Sequence, residues 1–143
     1  MADRETIMAA LLATIAAAYS FGKLTRRLAR PEAMASPGSP GAALLKHREM
    51  HEVKSINLPT KITLKLLLGL YVDCSGDANA IPDALLNVIL KAIESALAPD
   101  TPQGLCTLGG VAFSVKITGE AVFAPGDITG KGLCLLPIDV ILP

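Results

Sequence analysis

Apolar and polar positions alternate most strictly between Lys61 and Asp73. Ile62, Leu64, Leu66, Leu68, Leu70 and Val72 take one set of places, and Thr63, Lys65, Leu67, Gly69, Tyr71 and Asp73 take the other. A period of two puts the first set on one face of a pleated strand, so the pattern predicts a long strand with one buried face. The period changes after DCSGDANA, a turn by composition. Pro82 suits a first helical turn, and Leu85, Leu86, Ile89, Leu90, Ile93, Ala96 and Leu97 recur at helical spacing. Pro99-Asp100 and Pro102 stop that helix. A first helix is predicted at the amino end, with Asp3 as N-cap and Ile7, Leu11, Ile15 and Ala18 on one face, ending at Phe21-Gly22.

Shorter patterns fill the rest. KLTRRLAR, Lys23 to Arg30, alternates as a short strand closed by Pro31, and PEAMASPGSPGA follows as a Pro/Gly-rich loop over 31–41. Ala42 to Lys54 precedes the long strand through a short connection containing Pro59, the arrangement of a hairpin. Val111, Phe113, Val115 and Ile117 alternate, and so do Leu136, Ile138, Val140 and Leu142. Pro137 lacks an N–H, which predicts that its side of the last strand is an edge or that the strand starts there. The order is helix, short strand, two longer strands, helix, two strands. It predicts an α+β fold, an antiparallel-rich sheet with two main helices packed on one face.

At 143 residues the chain is expected to be a single domain over 1–143. It is 51% hydrophobic and 18% charged, against roughly 25% charged in soluble domains. So sparse a charged surface suggests that partners, most simply other copies, cover part of it. Thirteen basic and thirteen acidic residues cancel, which gives no global nucleic-acid signature. They are unevenly placed: residues 1–60 hold eight Lys/Arg against five Asp/Glu, and residues 61–143 hold five against eight. A basic half followed by an acidic half suits subunits meeting head to tail. Near the start, MAALLATIAAA resembles a signal core, but Asp3 and Glu5 lie where a secretory leader is basic. The run is also too short to span a bilayer, so an ordinary amphipathic helix and no membrane contact are expected.

Candidate chemistry is thin. His47 and His51 in LLKHREMHEVK stand four apart with Glu49 between them. On a helix they could share a zinc ion, as a small metallohydrolase would require. On a strand their backbones stand about 13 Å apart, and the hairpin context favours the strand. The order of residues also departs from H-E-x-x-H. No metal and no cofactor are therefore expected. Cys74, Cys106 and Cys134 are scattered without a CxxC pair, which suits free, mostly buried thiols in a reducing cytoplasm. The glycine runs LGG and GKG match no phosphate-binding loop, no G-x-S-x-G elbow is present, and an enzyme is not expected. The basic cluster Lys23, Arg26, Arg27 and Arg30 suits a charged strand edge or contact with an acidic neighbour. With Lys46, Arg48, Glu52 and Lys54 it makes up the candidate subunit or partner interface. In the alternating arm Leu44, Lys46, Arg48, Met50, Glu52 and Lys54 are expected on one face, and Leu45, His47, Glu49, His51 and Val53 on the other.

RETIMAALLATI, LPTKITLKLLLGLYVD, IPDALLNVILKAIESALAPD, TLGGVAFSVKITGE and GLCLLPIDVILP, in that order and spacing, resemble the tail terminator (tail completion) proteins of long-tailed bacteriophages. The resemblance covers nearly the whole chain and is weakest over Pro31 to Gly41. It implies a tail-terminator-like subunit that forms a ring, usually a hexamer, at the head-proximal end of the tail tube, in the neck of a virion assembled in the host cytoplasm. Such a ring ends tube polymerisation and offers a surface to the head-tail connector protein, while genome DNA passes through the lumen without specific binding. Another neck component, a head-tail connector or head-completion protein, is the alternative expectation.

Overall fold

The computed structural model describes residues 3–27, 31–53, 55–75, 79, 81–124 and 131–143. In chain order the elements are helix α1 (Arg4–Ala18), strand β1 (Lys23–Thr25), helix α2 (Pro31–Met34), strands β2 (Gly41–Glu52) and β3 (Lys61–Asp73), helix α3 (Pro82–Ala96), and strands β4 (Ser114–Ile117), β5 (Val122–Ala124) and β6 (Lys131–Ile141). The sheet runs β1-β2-β3-β6-β4, and β5 pairs with β6 alongside β4. Among the described strands only the β1–β2 pair is parallel. The fold is α+β, as the alternation predicts.

The strict pattern in β3 does what its period demands. Leu64, Leu66, Leu68, Leu70 and Val72 are buried in one cluster with Ile7, Leu11 and Ile15 of α1, Leu86, Ile89 and Ile93 of α3, and Cys134, Leu136, Ile138 and Val140 of β6. Both main helices therefore cover the same face of the sheet. Each fully buried aliphatic side chain contributes about 1.5–3 kcal/mol, so the β3–β6 ladder with its helical cover is the centre of stability. Asp3 caps α1 by accepting from the Thr6 N–H at 2.7 Å. That bond holds the Asp3 carboxyl below its ordinary range. Pro82 opens α3, where its missing N–H costs nothing. A Cβ on Gly132 would lie 3.0 Å from Pro82 Cβ and 3.1 Å from Val72 Cγ2. Glycine there lets the start of α3 settle directly on β6.

Several details depart from the alternation. The predicted strand over Lys23–Arg30 stops at Thr25, and Arg26 and Arg27 lie in a bend. Leu28 and Arg30 lie outside the described residues. The segment expected as a loop over 31–41 contains α2, because its apolar Met34 and Ala35 pack with Ala43 and Tyr71 against the sheet face opposite the main helices. It then closes on itself, with Ser36 and Ser39 exchanging backbone hydrogen bonds of 3.1 and 2.8 Å. A side chain on Gly41 would collide with the Met34 carbonyl oxygen. The strand expected from Val111 begins at Ser114, since Ala112 N–H donates to Thr107 O at 3.0 Å in a turn. Residues 122–124 add a strand that the Gly/Pro-bearing composition hid.

Pro137 lies in the interior of β6, opposite Leu67 of β3, and the strand does not start there. Its carbonyl accepts from Thr118 N–H at 3.1 Å on the outer side. In an antiparallel ladder a residue's N–H and C=O point the same way, so the missing donor faces the break between β4 and β5. There the sheet does have a local edge, as expected.

Candidate functional site

Strand β2 carries the charged residues singled out in the sequence, and its register sets where each one points. Lys46 stands opposite Leu66, but Arg48 stands opposite Lys65, so one extra residue, His47, forms a bulge. The bulge reverses the alternation. Leu44 and Lys46 share the helix-covered face with Glu49 and His51, while Arg48, Met50 and Glu52 join Leu45 on the open face. The expected faces, with Lys46, Arg48 and Glu52 together, are corrected by that single inserted residue.

On the covered side, Glu49 collects two cations and a histidine. Arg4 Nε of α1 donates to its Oε1 at 2.6 Å and Arg4 Nη2 to its Oε2 at 3.3 Å. Lys46 Nζ lies 2.7 Å from Oε1, and His51 Nε2 lies 3.1 Å from Oε2. Arg4, then Lys46 and His51, hold the Glu49 carboxyl down to about 2. Nearby, Arg26 makes a two-pronged bond with Glu5 of α1 at 2.7 and 3.1 Å, which lowers the Glu5 carboxyl. Both sets tie α1 to the sheet side of the molecule.

The eight interface candidates do not form one patch. Lys23 and Arg27 are exposed at the β1 edge, and Arg26 is engaged with Glu5. Lys46 is engaged with Glu49, whereas Arg48 is exposed on the opposite face. Glu52 Oε1 lies 3.9 Å from Lys61 Nζ near the hairpin end. Arg30 and Lys54 lie outside the described residues. The two histidines are separated by the strand, His47 in the bulge and His51 beside Glu49. Cys106 and Cys134 are buried and Cys74 is half-buried; burial pushes the Cys134 thiol up to about 11.

Two surfaces escaped the sequence analysis. The first is the connection between β2 and β3, where Val53, Ile56 and Leu58 are 76%, 99% and 59% exposed. In the sequence this stretch reads only as the short connection of the hairpin. The second is the open face of the sheet. Arg48, Lys65, Asp139 and Lys116 form one row across β2, β3, β6 and β4, with Lys65 Nζ 2.6 Å from Asp139 Oδ2. Beside that row Leu45, Leu67 and Pro137 form an apolar one. The polar partner positions of β3 are what a solvated face would show, yet Leu67 and Leu135 break that rule, and this was the available signal.

After α3, one carboxylate organises an exposed loop. Asp100 Oδ1 accepts from Thr107 N–H at 2.9 Å and Oδ2 from Gly109 N–H at 3.1 Å. These bonds hold the Asp100 carboxyl below its ordinary range. The loop then covers the outer edge of β4, where Val115 N–H donates to Cys106 O at 2.8 Å.

No family model matches the chain, and no curated protein matches its sequence. Its fold is similar to that of a chain in the virion of a native gene transfer agent (GTA) particle. The superposition has a TM-score of 0.54 at 12% sequence identity, over 94% of this chain and 92% of that one. At that identity the likeness is one of fold.

Proposed function

We propose that this chain is a structural protein of a phage-like virion, a single tail-terminator-like domain over 1–143 with no catalytic role. Its copies form a ring, a hexamer by the family resemblance, at the head-proximal end of the tail tube. The ring ends tube polymerisation, offers its upper surface to the head-tail connector protein, and lets genome DNA pass through its lumen without specific binding. The observation that carries this is the fold shared with a component of a GTA virion particle over nearly the full length of both chains. The grouping of exposed aliphatics at the hairpin end, with Val53, Ile56 and Leu58 all more than half exposed, supports contact with a partner. His47 and His51 lie on strand β2, with His47 in its bulge, and not on the helix that the metallohydrolase reading needs. The candidate contacts with neighbours are the exposed charges Lys23, Arg27 and Arg48 and, at the hairpin end, Glu52.

Particle imaging with the protein labelled tests this directly. The label is expected at the junction of tube and head, and particles made without the protein should carry tubes of uncontrolled length that fail to join heads. A label above the junction would instead favour the alternative, a connector or head-completion protein. Normal, fully joined particles in the absence of the protein would refute both.

A further inference from the structure

The hairpin tip and part of the open face of the sheet are apolar, left uncovered by the described residues, and carried by the same chain. At the tip, Ser55 to Thr60 contains no charge, and Ile56 is 99% exposed. On the open face, Leu45, Leu67 and Pro137 form one row across three strands. Leu135 and Val122 stand in the next row. All are half-buried except Val122, which is 57% exposed. Both main helices lie on the other side of the sheet, and α2 covers only the far end through Met34 and Ala35.

Neither surface can cover the other within one molecule. The tip extends beyond Lys61, while Leu67 lies six residues back along the same strand, about 20 Å away. Strand addition at the edge of β2 is also disfavoured, because the bulge at His47 and the charges of Lys46 and Arg48 protect that edge. What remains is docking by side chains.

We propose that the hairpin tip of one copy seats on the apolar rows of the open sheet face of the next copy. This inference rests on the ring reading above and names the contact that would build the ring. The match is one of chemistry and of size. Tip and rows are both uncharged, so no ion loses its water. The rows are bounded on one side by α2 and on the other by Arg48, Lys65, Asp139 and Lys116. The slot between is about 10–15 Å along the strands, wide enough for the end of a two-stranded hairpin. The contact is heterologous, with each copy giving a tip and receiving one, so it repeats head to tail, and the ring reading above supplies the rotation that closes it. Three aliphatic side chains fall short of the roughly 800 Å² per partner of a stable pair. A dimer is therefore short-lived, and persistence comes from closure.

Disulfide trapping tests this. In a full-length chain with Cys74→Ser, the pair Ile56→Cys and Leu135→Cys should give covalent oligomers on mild oxidation that end at one closed size. Replacing Leu135→Cys by Lys91→Cys, on the outer face of α3, should lower the yield at least about tenfold, because only a docked pair has a high effective concentration. Equal yields from both pairs, or no oligomers from the first, would overturn the contact. A second measurement needs no cysteine: Ile56→Asp, at a fully exposed site, should leave the circular dichroism unchanged and weaken self-association at least about tenfold by sedimentation. Unchanged association would also overturn it. Failure of the ring reading looks different. Trapped oligomers from a protein absent from the neck of particles would leave the contact standing and remove the ring's place, whereas a ring in the neck without trapping does the reverse.

Discussion

Three side chains reach the Glu49 carboxylate from two directions, Arg4 from α1 and Lys46 and His51 from its own strand. Its carboxyl sits at about 2 in the folded chain against an ordinary 4.5. A depressed carboxyl stabilises the fold fully above its unfolded value, and that stabilisation is lost as pH falls through the folded one. The expected outcome is a thermal midpoint that drops between about pH 4.5 and 2 in the wild type. In Glu49→Gln the midpoint should start a few degrees lower at neutral pH and fall less over that window. Thermal melts at stepped pH check this, and equal slopes for the two proteins would exclude Glu49 as a main source of the acid sensitivity. Neighbouring leucines give a second test at this scale. Leu66 is fully buried under the helices, and Leu67 is half-buried on the open face. Denaturant melts should show Leu66→Ala costing about 2–5 kcal/mol and Leu67→Ala no more than about 1.5 kcal/mol. Residue-scale burial of this kind was legible, since the alternation in β3 sorts inward from outward positions.

At the scale of elements, legibility followed length. β3, α3, α1 and the second half of β6 repeat their period often enough to be unmistakable. α2 and β5 span four and three residues, too few for any period, and their Pro/Gly neighbours argued for loop. The bulge in β2 was hidden for another reason. From Lys46 to Glu52 the strand has charges on both faces, so no apolar alternation reveals a change of parity. It appears only in the pairing with β3. The bulge has a sharp consequence: it lets Lys46 and Glu49 share the side of Arg4. Deleting His47 should remove the bulge and restore ordinary alternation with Arg48 still opposite Lys65 and Glu49 still opposite Leu64, on the covered face. Arg4→Ala and Glu49→Ala should therefore couple in a double-mutant cycle in the wild type and in the deletion background alike. Additive changes in the deletion background would show that the shortened strand shifts its register and loses the pair.

For the whole molecule, the low charge content now has places attached to it. The outward side of α1 shows Ala9, Ala13, Ala16 and Ala17, α3 shows Val88, and Ile81 is exposed just before it. The hairpin end and the open sheet face carry the larger aliphatics. The sequence hinted at covered surface through composition, but composition cannot say where, because outward Leu67 and inward Leu66 count alike. If tip and sheet rows meet between copies, their attraction is hydrophobic, and that has a signature in salt. Interactions between exposed ions weaken as sodium chloride rises through the physiological range. Apolar burial instead strengthens with sulfate, which is excluded from the protein surface. Sedimentation of the wild type is therefore expected to show association that changes little between low and moderate sodium chloride and rises with ammonium sulfate at matched ionic strength. A short-lived dimer and a persistent closed ring also predict few intermediates, so the profile should pass from monomer to one large species over a narrow concentration range. Association that falls steeply with sodium chloride would instead assign the contact to Arg48, Lys65 and Lys116, the cations bordering the apolar rows, and the partner surface would then have to be acidic.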